Sequence, residues 1–245
     1  MLFLAVSSVE AGHLKLYTYD LPDLGQTVAT YNFDYIQGPE GDRSGGNPFM
    51  HEIEIEHSFT KWWCQSLYFD YAYLAGEVNE LNALKTEFNF AFFEKGQYFV
   101  DFRLNIELAL AINNQMDMYG GGNAADTIEF RPIFEKNFER FSIVIGPIIV
   151  KELSAPGGTP LAGPTLGYAN AIMFGLTDRV GFNLEFHGSL GEARDMRFMN
   201  RQGHYLLPNL DIAVTRNINF SLGTAFGLTG VSDDFTLRAA LQYGF

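Results

Sequence analysis

Hydrophobic and polar residues alternate along most of the chain, and an alternation with a period of two predicts β-strands. The clearest stretch is 98–111, where apolar residues occupy every second position from Tyr98 to Leu110. The positions between them carry Phe99, Asp101, Arg103, Asn105 and Glu107. Charges that recur opposite so long an apolar stripe are costly to bury in a soluble core. The pattern therefore favours a strand with one face toward lipid and the other toward a wet interior.

Twelve segments of about ten residues show this alternation. They are 27–37, 49–59, 65–75, 84–94, 98–111, 125–136, 140–152, 164–177, 179–190, 205–215, 217–229 and 234–245. Short turns and longer Gly-, Pro- and Asn-rich links alternate between them, as in membrane barrels with short periplasmic turns and long outer loops. The predicted fold is all-β: a transmembrane antiparallel up-and-down barrel of about 12 strands, spanning 12–245 as one domain, with both termini in the periplasm.

The last segment places Phe235, Leu237, Ala239, Leu241, Tyr243 and Phe245 on one face. Such a strand closes a barrel, with its apolar face toward lipid. The terminal Tyr243 and Phe245 resemble the C-terminal aromatic signal that the barrel-assembly machinery of the bacterial outer membrane reads. The predicted partners are therefore this machinery and outer-membrane lipids.

Composition excludes several other classes of protein and site. Hydrophobic residues make up 47% of the 245 residues, but no apolar run reaches the roughly 18 residues of a transmembrane helix. A net charge of −13 argues against nucleic acid, whose binding requires basic residues. With Cys64 as the single cysteine, neither an intrachain disulfide nor a cysteine-based metal cluster can form. Residues 1–11 are typical of the end of a signal peptide that lacks its basic leader, or of an N-terminal extension.

The interior face follows from the alternation. Strands two to six are expected to line the lumen and set its selectivity with Glu52, Glu54, Glu56, Asp70, Glu87, Asp101, Arg103, Glu107, Glu129 and Arg131. Later strands contribute small residues, among them Gly167, Ala169, Ala171, Ser221, Gly223 and Ala225. One bulky acidic wall facing a wall of small residues predicts an off-centre passage. Alternatively, the charges pair across the lumen and fill it.

Glu54 is predicted to lie opposite Asp70, with the two carboxylates on neighbouring strands about 5 Å apart. Such a pair binds a cation, finds a basic partner or raises one pKa, so a cation-preferring passage is the hypothesis. His51 and His57 share the outward face with Ile53 and lie about 20 Å apart along the strand. No metal site is predicted there, and no cofactor is expected anywhere in the chain.

One motif suggests catalysis. His187-Gly-Ser189-Leu-Gly191, followed by Asn200, resembles the His-x-Ser-Asn-Gly motif and third catalytic residue of outer-membrane phospholipase A, itself a twelve-stranded barrel. Leu190 replaces the asparagine of that motif, and the spacing to Asn200 is one residue shorter than the spacing to the third catalytic residue in that family. The alternation also turns His187 and Ser189 into the lumen, whereas the phospholipase works on its lipid face. A lipid hydrolase is kept as an alternative, and no catalytic residue is assigned.

The C-terminal third, from Pro164 to Phe245, resembles the outer-membrane transporter family first associated with the meta-cleavage pathway of phenol degradation. The segments that carry the resemblance are Gly175–Glu185, Leu207–Thr229 and Val231–Phe245. The resemblance implies passive passage of small solutes of aromatic or other hydrophobic character, and the acidic lumen face adds cationic solutes to these. A structural or accessory envelope barrel with an occluded lumen is the alternative.

Overall fold

A computed structural model describes residues 14–38, 49–73, 80–112, 125–154, 161, 163–196 and 198–245. Residues 1–11, predicted as a signal peptide or extension, lie outside this part. Twelve long strands run through the described chain: β1 Thr27–Gln37, β2 Phe49–Thr60, β3 Trp63–Tyr73, β4 Glu80–Ala91, β5 Asp101–Ala111, β6 Thr127–Asn137, β7 Phe141–Glu152, β8 Thr165–Gly175, β9 Val180–Glu192, β10 Gly203–Ala213, β11 Ile218–Gly227 and β12 Phe235–Gly244.

Each strand pairs with its sequence neighbours, antiparallel throughout, and β1 pairs with β12. The seam between β1 and β12 runs from Val28 opposite Gly244 to Gln37 opposite Phe235. Backbone hydrogen bonds between Thr27 and Phe245 extend it by one further residue pair. The predicted twelve-stranded antiparallel barrel is therefore confirmed.

Helix is almost absent from the described residues. One 3-10 turn, Met199–Arg201, lies in the link between β9 and β10, beside a two-residue strand, Asp195–Met196. Within these described ranges, no helix is both long and apolar enough to cross a membrane.

The outside of the barrel is apolar and exposed. On β2 and β3, Ile53, Leu67 and Phe69 are between 38% and 50% accessible, whereas Glu52 and Asp70 beside them are buried. A soluble domain rarely exposes so large a contiguous apolar surface, because contact with water is unfavourable. Aromatic rings follow one rim near the short turns, where they form ring-to-ring contacts: Phe59–Trp63, Trp62–Phe90, Phe92–Phe102, Phe102–Phe134, Phe138–Phe141 and Phe141–Phe174. Both features are typical of a membrane barrel.

Strand positions differ from the prediction mainly at the turn between β4 and β5. The strands end at Ala91 and restart at Asp101, where the sequence predicts a turn of only three residues. Gly96 takes a left-handed conformation with φ of 78° inside this longer turn. Pro147 and Pro208 lie within β7 and β10 without ending these strands.

The register between β2 and β3 corrects a specific expectation. Asp70 lies opposite Glu52, while Glu54 lies opposite Tyr68. The strands are joined by a two-residue turn, Lys61–Trp62, and the pairing shifts at a bulge between Ser58 and Thr60. Alternation alone fixes the face of a residue but not its partner, because a slip by two positions leaves every face unchanged.

Candidate functional site

All ten lumen residues predicted from the sequence lie on the interior face of the barrel. Most are buried, including Glu52, Asp70, Glu87, Asp101 and Arg103 at 6% exposure or less. Glu56, Glu107 and Glu129 are partly exposed within the interior. We call the inward-facing residues of β2 to β6 the charged wall, and those of β8 to β12 the small-residue wall.

The charged wall sets carboxylates directly opposite one another on neighbouring strands. Glu87 faces Glu107, and Glu107 in turn faces Glu129, which makes a row of three glutamates. Two other opposed pairs are Glu52 with Asp70 and Asp101 with Glu135. Like charges at this spacing repel one another, so the fold requires cations and donors nearby.

Lys85 supplies one of these cations. Its Nζ lies 2.6 Å from Asp70 Oδ2 and 3.3 Å from Glu52 Oε2, so it bridges the opposed pair. Arg131 supplies another, with its Nη2 2.7 Å from Glu129 Oε1. The sequence-based set omits Lys85 and Glu135, although alternation along β4 and β6 places both side chains on the interior face.

The remaining compensation comes from an element that the sequence does not predict. Residues Leu14–Gln26, which we call the N-terminal segment, have no strand structure. The segment lies inside the barrel from Leu14 to Tyr19 and is exposed around Leu24, near the short turns. Lys15 Nζ lies 3.1 Å from Glu52 Oε1, 3.4 Å from Glu54 Oε2 and 3.7 Å from the centre of the Tyr68 ring. Lys15 thus supplies positive charge where two glutamates approach each other.

Tyr17 is the second anchor of the N-terminal segment. The centre of its ring lies 4.6 Å from the Arg131 guanidinium and 5.6 Å from that of Arg103, and such cation–π contacts are attractive. Its hydroxyl donates a hydrogen bond to Glu87. The same arginines donate to main-chain carbonyls, Arg131 to that of Lys15 at 2.8 Å and Arg103 to that of Thr18 at 2.9 Å. Charged groups of the wall thereby fix the backbone of the segment.

Near the short turns, the N-terminal segment is bound by groups outside the strands. Tyr19 donates its amide to Glu135 Oε2 at 2.8 Å and its hydroxyl to the carbonyl of Phe93, and burial raises the pKa of that hydroxyl. Lys95 Nζ lies 2.5 Å from Asp20 Oδ2. Burial lowers the pKa of Lys95, but the Asp20 and Glu135 carboxylates more than offset this and raise it above its ordinary value.

A cavity of about 550 Å³ remains between the N-terminal segment and the small-residue wall. It reaches the short turns at Thr177–Arg179 and extends to about the middle of the barrel. Its charged lining carries both signs: Lys15, Asp20, Glu54, Glu56, Arg103, Asp178, Arg179, Glu185, Asp211 and Arg238. Of the ten predicted lumen residues, Glu54, Glu56 and Arg103 border it.

Beyond the cavity, toward the longer links, the described residues pack closely. Leu14 of the N-terminal segment contacts Leu207 and Ala225, which are fully buried. The link between β11 and β12 lies against the small-residue wall, and its Ser232 hydroxyl donates a hydrogen bond to the carbonyl of His204 at 2.9 Å. Gly227 is required beneath this link, because a Cβ there would overlap the carbonyl oxygen of Asp233.

The candidate catalytic residues do not form a catalytic group in the described structure. His187 is buried inside the barrel, and its Nε2 lies 2.8 Å from Glu185 Oε2. Asn200 lies in the exposed 3-10 turn outside the barrel wall. His51 and His57 lie on the outward face, near Tyr31 and Thr27, and the described residues contain no cluster that could hold a metal ion.

Comparison with known proteins finds similarity in structure only. No family model matches the sequence, and none of the curated proteins matches it. Among solved structures, an outer membrane channel from Pseudomonas putida F1 superposes with a TM-score of 0.67 at 9% identity, covering 94% of this chain and 99% of that one. The KdgM porin, in complex with disordered oligogalacturonate, gives 0.61 at 10% identity, covering 89% and 99%. The NanC porin gives 0.60 at 10% identity, covering 89% and 98%. At these identities the likeness establishes the fold, and the resemblance of the C-terminal third to the phenol-pathway transporters stays a prediction.

Proposed function

We propose that this protein is a channel of the bacterial outer membrane, through which small solutes diffuse along the small-residue wall. The observation that carries the proposal is the polar cavity between that wall and the N-terminal segment, inside a closed barrel whose exterior is apolar. A wet passage enclosed by strands is the arrangement of porin barrels. The three solved structures named above are a channel and two porins, which supports the same function.

The proposed orientation places the short turns and both chain ends in the periplasm, with the longer links outside. Short periplasmic turns and longer outer loops are the rule in bacterial barrels. The cavity then opens toward the periplasm. Lipids contact the apolar exterior, and Tyr243 and Phe245, both exposed at the end of β12, are available to the barrel-assembly machinery.

Small solutes of cationic character are the proposed cargo. Six carboxylates border the cavity and outnumber its four cations, Lys15, Arg103, Arg179 and Arg238. The carboxylates are Asp20, Glu54, Glu56, Asp178, Glu185 and Asp211. Glu56 accepts a hydrogen bond from the Cys64 thiol, and no cation contacts it among the described residues. A carboxylate in this setting attracts cations along the route.

The test is ion conductance of the purified full chain in a planar bilayer. Ala240 lines the cavity, whereas Ala239 beside it faces outward. Ala240→Trp should lower conductance by about half or more, because an indole occupies a large part of the open space. Ala239→Trp should leave conductance unchanged. Equal conductance in both variants would contradict a route along this wall.

An accessory barrel with an occluded lumen is the second candidate, and the N-terminal segment is the observation that favours it. This segment and its partners fill the side of the lumen next to the charged wall, and Leu14 packs against Leu207 at the far end of the cavity. Complete absence of conductance from a folded, membrane-inserted protein would favour this candidate over the channel. No observation favours a lipid hydrolase.

A further inference from the structure

Arg238 faces the lumen and has no counter-ion among the residues that the structure describes. It lies on β12 with its side chain toward the cavity, between Gly223 of β11 and Asp34 of β1. Among the described residues, no carboxylate lies within ion-pairing distance of it and no hydrogen bond joins it to a neighbour. Arginine presents a planar set of donors that matches a carboxylate, so a free arginine facing a cavity is a binding group for one.

Arg238 is partly exposed to the cavity, and its neighbour on β11 is a glycine without a side chain. At Gly223 a Cβ would come within 2.7 Å of Asn209 Oδ1 and 2.8 Å of Leu207 Cδ2, so no larger residue fits without displacing them. The Asn209 and Leu207 side chains of β10 occupy the space above Gly223. The arginine side chain is not covered by a neighbour from β11.

Asp211 provides a fixed negative charge on the same wall. Its two carboxylate oxygens accept hydrogen bonds from Asn183 Nδ2 at 2.5 Å and Asn209 Nδ2 at 3.0 Å. Asn209 is itself oriented by Ser221, which donates its hydroxyl to Asn209 Oδ1 at 3.0 Å. These amides hold the carboxylate in place without neutralising it, and no described cation forms an ion pair with it. Glu185, which is hydrogen-bonded to the His187 ring, adds a second negative charge to this side of the cavity.

The two charges of opposite sign are spaced for one small molecule. Asp211 lies opposite Ser221, and Ser221 opposite Ala240, two residues from Arg238. Two strand spacings and two residues along the strand separate the Cα atoms of Asp211 and Arg238 by about 12 Å. Both side chains point into the same cavity, and the length of the arginine shortens the gap between the charged groups.

We propose that the cavity binds solutes carrying a carboxylate at one end and a cationic amino or guanidino group at the other, as in basic amino acids. Arg238 binds the carboxylate, while Asp211 and Glu185 bind the cationic end. Two carboxylates and one guanidinium on this wall favour a solute with a net positive charge. This rests on the proposed channel function, whose cargo it specifies. The volume of about 550 Å³ falls in the range of small-molecule sites.

The test is calorimetric binding to the detergent-solubilised full chain, with L-arginine, L-arginine methyl ester and L-glutamate as probes. L-arginine should bind about tenfold more tightly than its ester, because the ester removes the charge that Arg238 recognises. Arg238→Gln should abolish this preference, and Asp211→Asn should weaken both cationic probes. The controls Arg216→Gln and Asp234→Asn change exposed residues away from the cavity and should alter nothing.

Block of ionic current by the same probes separates this inference from the channel function. Conductance without any preference among the three probes, or a preference that survives Arg238→Gln, would overturn the binding site and leave the channel intact. Binding of L-arginine that depends on Arg238, in a protein without conductance, would support the site and overturn the channel. Circular dichroism of each variant verifies that the barrel has folded.

Discussion

The charged wall and the small-residue wall satisfy their polar groups in different ways. On the charged wall, carboxylates face each other across neighbouring strands, and Lys85, Arg131 and Lys15 compensate them. On the small-residue wall, Asp211 is held by neutral amides and Arg238 has no counter-ion among the described residues. The first wall uses most of its charge internally, to bind the N-terminal segment, and only Glu54, Glu56 and Arg103 of it border the cavity. The second leaves charge directed at the cavity, and we infer that solutes meet it there.

Removing a buried cation of the charged wall should have the largest effect on stability. Lys85→Met leaves Glu52 and Asp70 opposed without their shared cation, and losing one partner of a buried ion pair costs about 3–5 kcal/mol. The free energy of unfolding, measured in urea by tryptophan fluorescence in lipid vesicles, should fall by that amount. Lys61→Met, at an exposed turn, is the control and should change it by about 0.5 kcal/mol or less. Equal losses would mean that the pairing on this wall is unimportant.

Deleting one hydroxyl on each side compares the two walls directly. Tyr17→Phe removes a donor to the Glu87 carboxylate and should cost about 1.5–3 kcal/mol, because the acceptor is charged. Ser221→Ala removes a donor to the neutral Asn209 amide and should cost about 0.5–1.5 kcal/mol. The same urea experiment measures both. A larger loss of unfolding free energy in Ser221→Ala than in Tyr17→Phe would contradict the proposal that the charged wall is the one that stabilises the fold.

Ion selectivity should show the smallest change, and it should distinguish two carboxylates of the charged wall. Glu54 borders the cavity, while Asp70 is paired with Lys85 away from it. One charge removed at about 10 Å from a passing ion in water changes its energy by about 0.4 kcal/mol. Glu54→Gln should therefore lower the cation-to-anion permeability ratio about twofold, as measured by reversal potential, and Asp70→Asn should lower it less. Anion preference in the unmodified protein would contradict the cationic cargo.

The alternation of residues predicts the strands and their faces because both depend on local sequence. In β5, the strict pattern from Phe102 to Leu110 leaves one assignment of inside and outside, and the structure has it. The partner of each residue depends on the turn, so the bulge between Ser58 and Thr60 displaces the predicted Glu54–Asp70 pair. The same alternation predicts inward side chains for Lys85, Glu135 and Arg238, since each lies two positions from another inward residue.

The N-terminal segment could not have been predicted in this way. Leu14–Gln26 has no strand structure, and its contacts depend on residues that are distant in sequence, such as Glu87 and Arg131. Lys15 and Tyr17 belong to no local pattern that predicts their contacts, which form only once the strands of the barrel have come together. The excess of inward carboxylates over inward cations on β2 to β6 is the feature of the sequence that indicates a further element inside the barrel. Carboxylates on neighbouring strands require cations, and these strands do not supply enough of them.

The seam between β1 and β12 has a consequence for the order of assembly. It joins the two ends of the described chain, so its hydrogen bonds form only after the intervening strands have been brought together, a slow step for contacts so distant in sequence. The N-terminal segment precedes β1 directly and ends at Gln26, whose carbonyl accepts a hydrogen bond from the Ser58 amide. If the N-terminal segment contacts the charged wall before β1 pairs with β12, Lys15 and Tyr17 do not have to enter a barrel that is already closed. We therefore expect the carboxylates of the charged wall to bind the N-terminal segment before the seam between β1 and β12 closes.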